Sequence, residues 1–323
     1  WNDRIRMLYS KSWGSDFGWR LATELAGSDW LAPAEVYGKP ARNLDELMEL
    51  RDQFEALGYR NIVCKADFGT AANGIRCLLA GEQINPALLV WLNDVWEKQG
   101  TVIVEAWLDR VYDFSIQFEK TSKELKTVAF TRLENNARGQ FRGIVTNAFC
   151  KGIEPELIRF IMKRVNGRPR VYDWYEETFG PRLSTALENV EFEGPLGVDA
   201  FVYRDLEGSL RLKTVVEINP RFTMGRIGHE LGERNAANSV GFFQVLTRSQ
   251  IRKGHAWSIA EFAEQLVADH PAKQTEESKS RIISGSLPLN DPLTAKQFLA
   301  VYHVRETIAE LPIRFNRLLL ETV

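Results

Sequence analysis

The stretch Leu210-Arg211-Leu212-Lys213-Thr214-Val215-Val216-Glu217-Ile218-Asn219-Pro220-Arg221 decides how the chain is read. Thr214, Val215, Val216 and Ile218 are β-branched, the residues that fit a pleated strand. Side chains alternate across a strand, so Glu217 and Asn219 share one face about 7 Å apart, while Val216 and Ile218 turn into a core. Pro220 has no N–H for a ladder and ends the strand, leaving Arg221 at its mouth. Residues 197 to 203 read as a second strand, and Asp205-Leu206-Glu207-Gly208-Ser209 has turn chemistry. A hairpin centred near Gly208 sets Asp199 opposite Glu217. Opposed carboxylates repel in a plain sheet, and a cation is the simplest compensation. Carboxylate oxygens with an Asn carbonyl suit Mg²⁺ shared with substrate phosphates. Each residue alone has a plainer reading: a Glu-x-Asn at a strand end is commonly solvated, and a lone Asp199 is a turn or edge residue.

Composition bounds the class. The 323 residues carry a net charge of −2 and are 44% hydrophobic, an ordinary globular balance with room for two or three lobes. Near-zero net charge argues against a general nucleic-acid binder. No run approaches the roughly 20 apolar residues of a membrane span. The start, Trp1-Asn2-Asp3-Arg4, is neither a signal peptide nor an initiator Met, and reads as the start of a fragment or a processed product. Cys64, Cys77 and Cys150 are odd in number and lack metal spacing, which suits reduced thiols in the cytoplasm. His229, His255, His270 and His303 are scattered and form no zinc motif.

Along the chain, Trp19, Leu21, Ala22, Leu25 and Ala26 recur at helical spacing within residues 4 to 28, with Lys11 ahead of them. Asn43 reads as the cap of a helix that Gly58 stops. Residues 62 to 66 and 75 to 79 are strands joined by Asp67-Phe68-Gly69-Thr70-Ala71-Ala72-Asn73-Gly74. Such a loop either folds its N–H groups around an anion or is a flexible hairpin. Lys65, just before it, is a point charge suited to phosphate. No Gly-Lys-Ser/Thr follows, so this is not a Walker A loop. An amphipathic helix spans 86 to 98 and Gly100 breaks it. Residues 101 to 108 form an apolar strand interrupted by Glu105, which reads either as an edge-strand residue facing solvent or as a site residue. Asp109 to Tyr112 then turn the chain into a strand over 113 to 118. Further strands are predicted at 125 to 130 and 141 to 149, around a polar loop with Arg132, Arg138 and Arg142. Helices are predicted at 154 to 164 and 172 to 188, and another after Phe222, with Phe242, Phe243, Val245 and Leu246 continuing its buried side. Residues 249 to 323 offer a helix near 258 to 268 and a strand near 282 to 287, and no visible chemistry.

Taken in order, Lys11, Lys65, the loop from 69 to 74, Glu105, Asp113, Asp199, Glu217, Asn219 and Arg221 resemble the ATP-grasp superfamily over roughly residues 11 to 246. The resemblance implies an α+β fold in which two lobes clasp a nucleotide between antiparallel sheets. Residues 1–104 would be the lid lobe, 105–248 the lobe with the metal site, and 249–323 an extension packed on the latter. It implies ATP and Mg²⁺ (or Mn²⁺) as cofactors, with Asp199, Glu217 and Asn219 as metal ligands. Lys11 and Lys65 would hold the phosphates, and Gly69, Thr70, Ala71 and Gly74 would belong to a loop closing over them. Glu105, Ala106, Trp107 and Leu108 would face adenine and Asp113 the ribose. Arg221 and Lys65 would be the catalytic residues, Arg221 stabilising the transferring phosphoryl group. The implied activity is a cytoplasmic, ADP-forming ligase joining a small carboxylate to an amine, or a thiol, through an acyl phosphate. A small-molecule kinase of the same fold and a nucleotide-binding module without turnover are the alternatives. The superfamily's usual N-terminal substrate domain is not recognised in this chain. The partners implied are therefore ATP and small substrates, with no nucleic acid and no membrane, and a homodimer or an N-terminal domain elsewhere in the protein.

Overall fold

Local chemistry sets many element ends. In the computed structural model, which describes residues 2–69, 74–136, 139–165, 167–254, 258–276 and 278–313, Ser10, Asn43 and Asn85 each accept a backbone N–H three residues on and so cap a helix. Pro86 then fills the first position of its helix, and Gly100, at φ 81, ends it. The first elements are α1 (Asp3–Leu8), α2 (Lys11–Glu24), β1 (Lys39–Ala41), α3 (Leu44–Ala56), β2 (Ile62–Ala66), β3 (Ile75–Leu78), α4 (Pro86–Gln99), β4 (Val102–Ala106) and β5 (Asp109–Lys120). Next come β6 (Leu125–Asn135), β7 (Phe141–Thr146), α5 (Pro155–Met162), α6 (Val171–Trp174), a π-helical turn (Tyr175–Phe179), α7 (Gly180–Ala186), β8 (Gly194–Arg204) and β9 (Leu210–Asn219). The last are α8 (Met224–Gly232), β10 (Val240–Thr247), α9 (Arg248–Gly254), α10 (Ile259–Asp269), β11 (Lys273–Gln274), β12 (Ile282–Pro288) and β13 (Phe298–Arg305).

Two compact units result, Trp1–Val128 with Asp173–Arg221 and Ala129–Tyr172 with Phe222–Val323. Each unit is assembled from segments far apart in sequence, because their strands pair with each other. In the first unit a small sheet runs β1-β4-β2-β3, and β8 pairs antiparallel with both β5 and β9. Helix α2 lies on β9, where Gly14 faces Val215 and Ile218. Residues Trp30 and Ala32 add backbone bonds to Leu212.

The β8–β9 hairpin turns around Glu207, since Arg204 pairs with Leu210 and Phe201 with Lys213. A bulge then shifts the register by two residues, so that Asp199 faces Glu217 and Gly197 faces Asn219. The expected Asp199–Glu217 pairing is therefore present, produced by the bulge and not by a hairpin centred on Gly208. The bulge also moves Val215 into the core and leaves Val216 half-buried, where Val216 was expected inside.

Two tyrosines take up the backbone groups of Thr214 in the bulge. The Thr214 N–H donates to Tyr37 Oη at 3.2 Å, and Tyr175 Oη donates to the Thr214 carbonyl at 2.8 Å. Tyr37 Oη also lies 2.8 Å from Thr214 Oγ1. Burial pushes the Tyr37 hydroxyl up to about 12 against the opposing Thr214 bonds, which keeps it neutral.

In the second unit β6, β7, β10, β13, β12 and β11 follow one another, all antiparallel. Helix α8 packs on β7 through Gly228, against Ile144, and Gly232, against Thr146. The sequence misplaced several features here. Phe242, Phe243, Val245 and Leu246 belong to strand β10, where Phe243 packs with Ile144, Tyr302 and Val304, and do not extend a helix. Arg132 and Arg142 are strand residues of β6 and β7, and Arg138 lies outside the described residues. Strand β13 went unread although it is an inner strand, paired with β12 and β10. In the first unit, Asp109 to Tyr112 are part of β5, with a bulge after Arg110, and not a turn.

Replacing Tyr37 with Phe should lower the unfolding free energy by about 1–3 kcal/mol, because buried partners at Thr214 lose their bond. Urea denaturation gives the value, and an unchanged midpoint would remove the tyrosine from this role.

Candidate active site

Strand β9 carries its chemistry at its C-terminal end. Asp199 and Glu217 face each other across β8 and β9, and Asn219 Nδ2 donates to Asp199 Oδ2 at 3.3 Å. Arg221 Nη2 donates to Asn219 Oδ1 at 3.0 Å. Burial and then Glu217 push the Asp199 carboxyl up to about 7, against a bond from Ser115 and the charges of Arg221 and Arg110.

Lys11, the first residue of α2, serves the other carboxylate. Its Nζ is 3.3 Å from Glu217 Oε1 and 3.1 Å from the Gly69 carbonyl, and only 6% of the residue is exposed. The start of α2 is tied to the β2 exit. Ser12 N and Oγ donate to Asp67 Oδ1 at 2.8 and 2.6 Å, and Lys11 N donates to the Asp67 carbonyl. Gly69 and Gly74 flank residues 70 to 73, so the loop expectation, with Thr70 and Ala71, lies outside the described residues.

Glu105 is buried on the inner strand β4, so the solvent-facing edge reading is overturned. Its carboxylate is gripped from two sides. Lys65 of β2 pairs with Oε1, and Lys213 of β9 lies 2.7 Å from Oε2. Burial alone would raise this carboxyl, but the charges of Lys213 and Lys65 bring it down to about 2. Beyond it, Ala106 and Leu108 are buried, and the Trp107 N–H donates to the Asn61 carbonyl at 2.9 Å. Asp113 is held by Arg110, whose Nε donates to Oδ1 at 2.9 Å while the guanidinium covers the Phe201 ring.

No protein-family model matches the sequence, and no curated protein matches it. Solved structures do. Carboxyaminoimidazole ribonucleotide synthase from Aspergillus clavatus, complexed with ATP, aligns with a TM-score of 0.54 at 12% identity, over 99% of this chain and 74% of that one. The ADP complex of an N5-carboxyaminoimidazole ribonucleotide synthetase gives 0.54 and 12%, over 98% and 72%. The biotin carboxylase domain of 2-oxoglutarate carboxylase from Hydrogenobacter thermophilus, with MgADP and bicarbonate, gives 0.50 and 14%, over 93% and 62%. The chain has the ATP-grasp fold.

Within that α+β fold, the residues singled out from sequence form two groups in the first unit. Lys11, Glu217, Asp199, Asn219 and Arg221 make one, and Lys65 with Glu105 the other, while Asp113 pairs with Arg110. Sequence reasoning missed Lys213, Arg110 and the Ser12–Asp67 tie. Lys213 carried a signal: a lysine inside a β-branched strand is almost never fully buried unless paired. Among the described residues no three His, Cys, Asp or Glu side chains gather as a metal site. The donors at the strand end are two carboxylates and an amide, which fit a hard cation that shares its other positions with phosphate oxygens.

Asp199 supplies a pH test in chelator. Its folded-state value of about 7 exceeds its ordinary 3.8, so its stabilising share is complete below pH 3.8 and is lost as pH rises through 7. Asp199→Asn should therefore gain stability relative to the parent steadily between these limits. A difference independent of pH would contradict the burial and charge repulsion assigned to Asp199.

Proposed function

We propose that the chain is an ATP-dependent, ADP-forming ligase that joins a carboxylate to an amine through an acyl phosphate. The observation that carries this reading is the in-register pair Asp199 and Glu217, with Lys11 bridging Glu217 to the Gly69 carbonyl, in an ATP-grasp fold. Fold neighbours crystallised with ATP or MgADP support nucleotide as the ligand class.

Asp199, Glu217 and Asn219 would hold Mg²⁺, which would supply positive charge to offset that of the phosphates. Lys11 and Lys65 bind the phosphates. The stretch Glu105, Ala106, Trp107 and Leu108, buried except for the half-buried Trp107, walls the base, and Asp113 accepts the ribose hydroxyls once Arg110 yields part of its grip. Gly69 and Gly74 lie beside the phosphates. A carboxylate oxygen attacks the γ-phosphorus, the bond to the β–γ bridging oxygen breaks, and ADP leaves. Arg221 donates to the phosphoryl oxygens as their charge develops. The amine then attacks the acyl carbon, inorganic phosphate departs with the bonding pair, and the nitrogen gives up a proton.

ADP release, followed over a panel of carboxylates and amines, tests the proposal. Glu217→Gln should lower it by about two orders of magnitude or more while circular dichroism stays that of the parent. Parent-like turnover in this variant would remove Glu217 from the site. ADP release that ignores the amine and leaves a stable phosphorylated product would replace the ligase by a kinase.

A further inference from the structure

The buried cluster of Lys65, Glu105 and Lys213 holds one more cation than its carboxylate requires. A lone buried pair would be neutral, and the third charge costs desolvation that one carboxylate does not offset. Burial pushes the Lys213 ammonium down from its ordinary value, Glu105 opposes this, and Lys65 adds to it.

The two lysines are not equivalent. Lys213 is 1% exposed and fixed on every side. Its Nζ donates to Glu105 Oε2 at 2.7 Å and to the Val36 carbonyl at 3.2 Å, and it lies over the rings of Tyr37 and Phe201 at 5.3 and 5.9 Å. It is also the residue at which the β9 bulge begins, so the bulge fixes its backbone. Lys65 has fewer partners. It lies diagonally across the β2–β4 pairing from Glu105, since Val63 faces Glu105 and Lys65 faces Ile103. Glu105 is its ion-pair partner, and two residues on, Asp67 binds the backbone and side chain of Ser12 beside Lys11.

We propose that Lys213 is the resident counter-ion of Glu105, so that Lys65 is free to leave the carboxylate for the phosphates of bound nucleotide. This rests on the nucleotide-binding reading above and gives Lys213 a positioning role, without contact to the nucleotide. With Lys213 present, departure of Lys65 leaves a neutral, hydrogen-bonded Glu105–Lys213 pair. With Lys213 absent, the same departure leaves a buried carboxylate without a partner, and nucleotide must work against that loss.

Titration calorimetry with MgATP, and NMR titration with adenosine, which has no phosphate to attract Lys65, make the test. Lys213→Met should weaken MgATP binding about tenfold or more and leave adenosine binding within about threefold of the parent. In a Glu105→Gln background the same substitution should change MgATP affinity by less than about threefold, because no carboxylate is left to abandon. That background also serves if the single variant does not fold. A parent that binds neither MgATP nor adenosine would defeat the nucleotide reading itself. A parent that binds MgATP, with Lys213→Met binding as tightly, or weakened equally toward adenosine, would overturn the counter-ion role alone. A tenfold effect of Lys213→Met in the Glu105→Gln background would overturn it too.

Discussion

The bonds from Tyr37 and Tyr175 to Thr214 are the constraint on which the rest of the site depends. A bulge takes strand groups out of the ladder, and buried backbone groups left unpaired are costly. The two phenols, both fully buried, supply the missing partners. Without the resulting shift of two residues, the hairpin register around Glu207 would set Asp199 opposite Val215 and not Glu217. The bulge thus converts an ordinary hairpin into a strand end with two facing carboxylates, and starts at the lysine that pairs with Glu105.

Charge in the first unit is divided unevenly between its two groups. The Glu105 cluster sets two lysines against one carboxylate, while at the strand end Asp199 and Glu217 face each other with Lys11 on Glu217 and Arg221 on Asn219. Each arrangement suits one part of a metal nucleotide: phosphate oxygens for the lysines and a hard cation for the facing carboxylates. Burial raises Asp199, with Glu217 adding to it, whereas at Glu105 the charges of Lys213 and Lys65 overcome burial and lower the carboxyl.

Features governed by neighbours in sequence were legible. Asn43, Pro86, Gly58 and Gly100 announced helix ends because capping acts over three or four residues. The facing of Asp199 and Glu217 was anticipated, yet through a turn centre that the structure moves to Glu207. The bulge that rescues it depends on Tyr37 and Tyr175, which lie 177 and 39 residues from Thr214, and no local pattern encodes them. Strand β10 was mistaken for helix because Phe242, Phe243, Val245 and Leu246 are apolar on both faces, which hides the period of two. Lys213 was passed over for a similar reason, since its partner Glu105 is brought to it only by the fold, whereas Arg110 has its ion-pair partner Asp113 three residues on.

The most direct measurement is anomalous diffraction from crystals grown with Mn²⁺ and a non-hydrolysable ATP analogue. A single peak within bonding distance of Asp199, Glu217 and Asn219, touching the analogue's phosphates, is the result expected of a strand end built by the β9 bulge to hold a metal nucleotide. Bound analogue with its metal away from these three residues, or no ordered nucleotide beside Lys11 and Lys65 at saturating concentration, would contradict it.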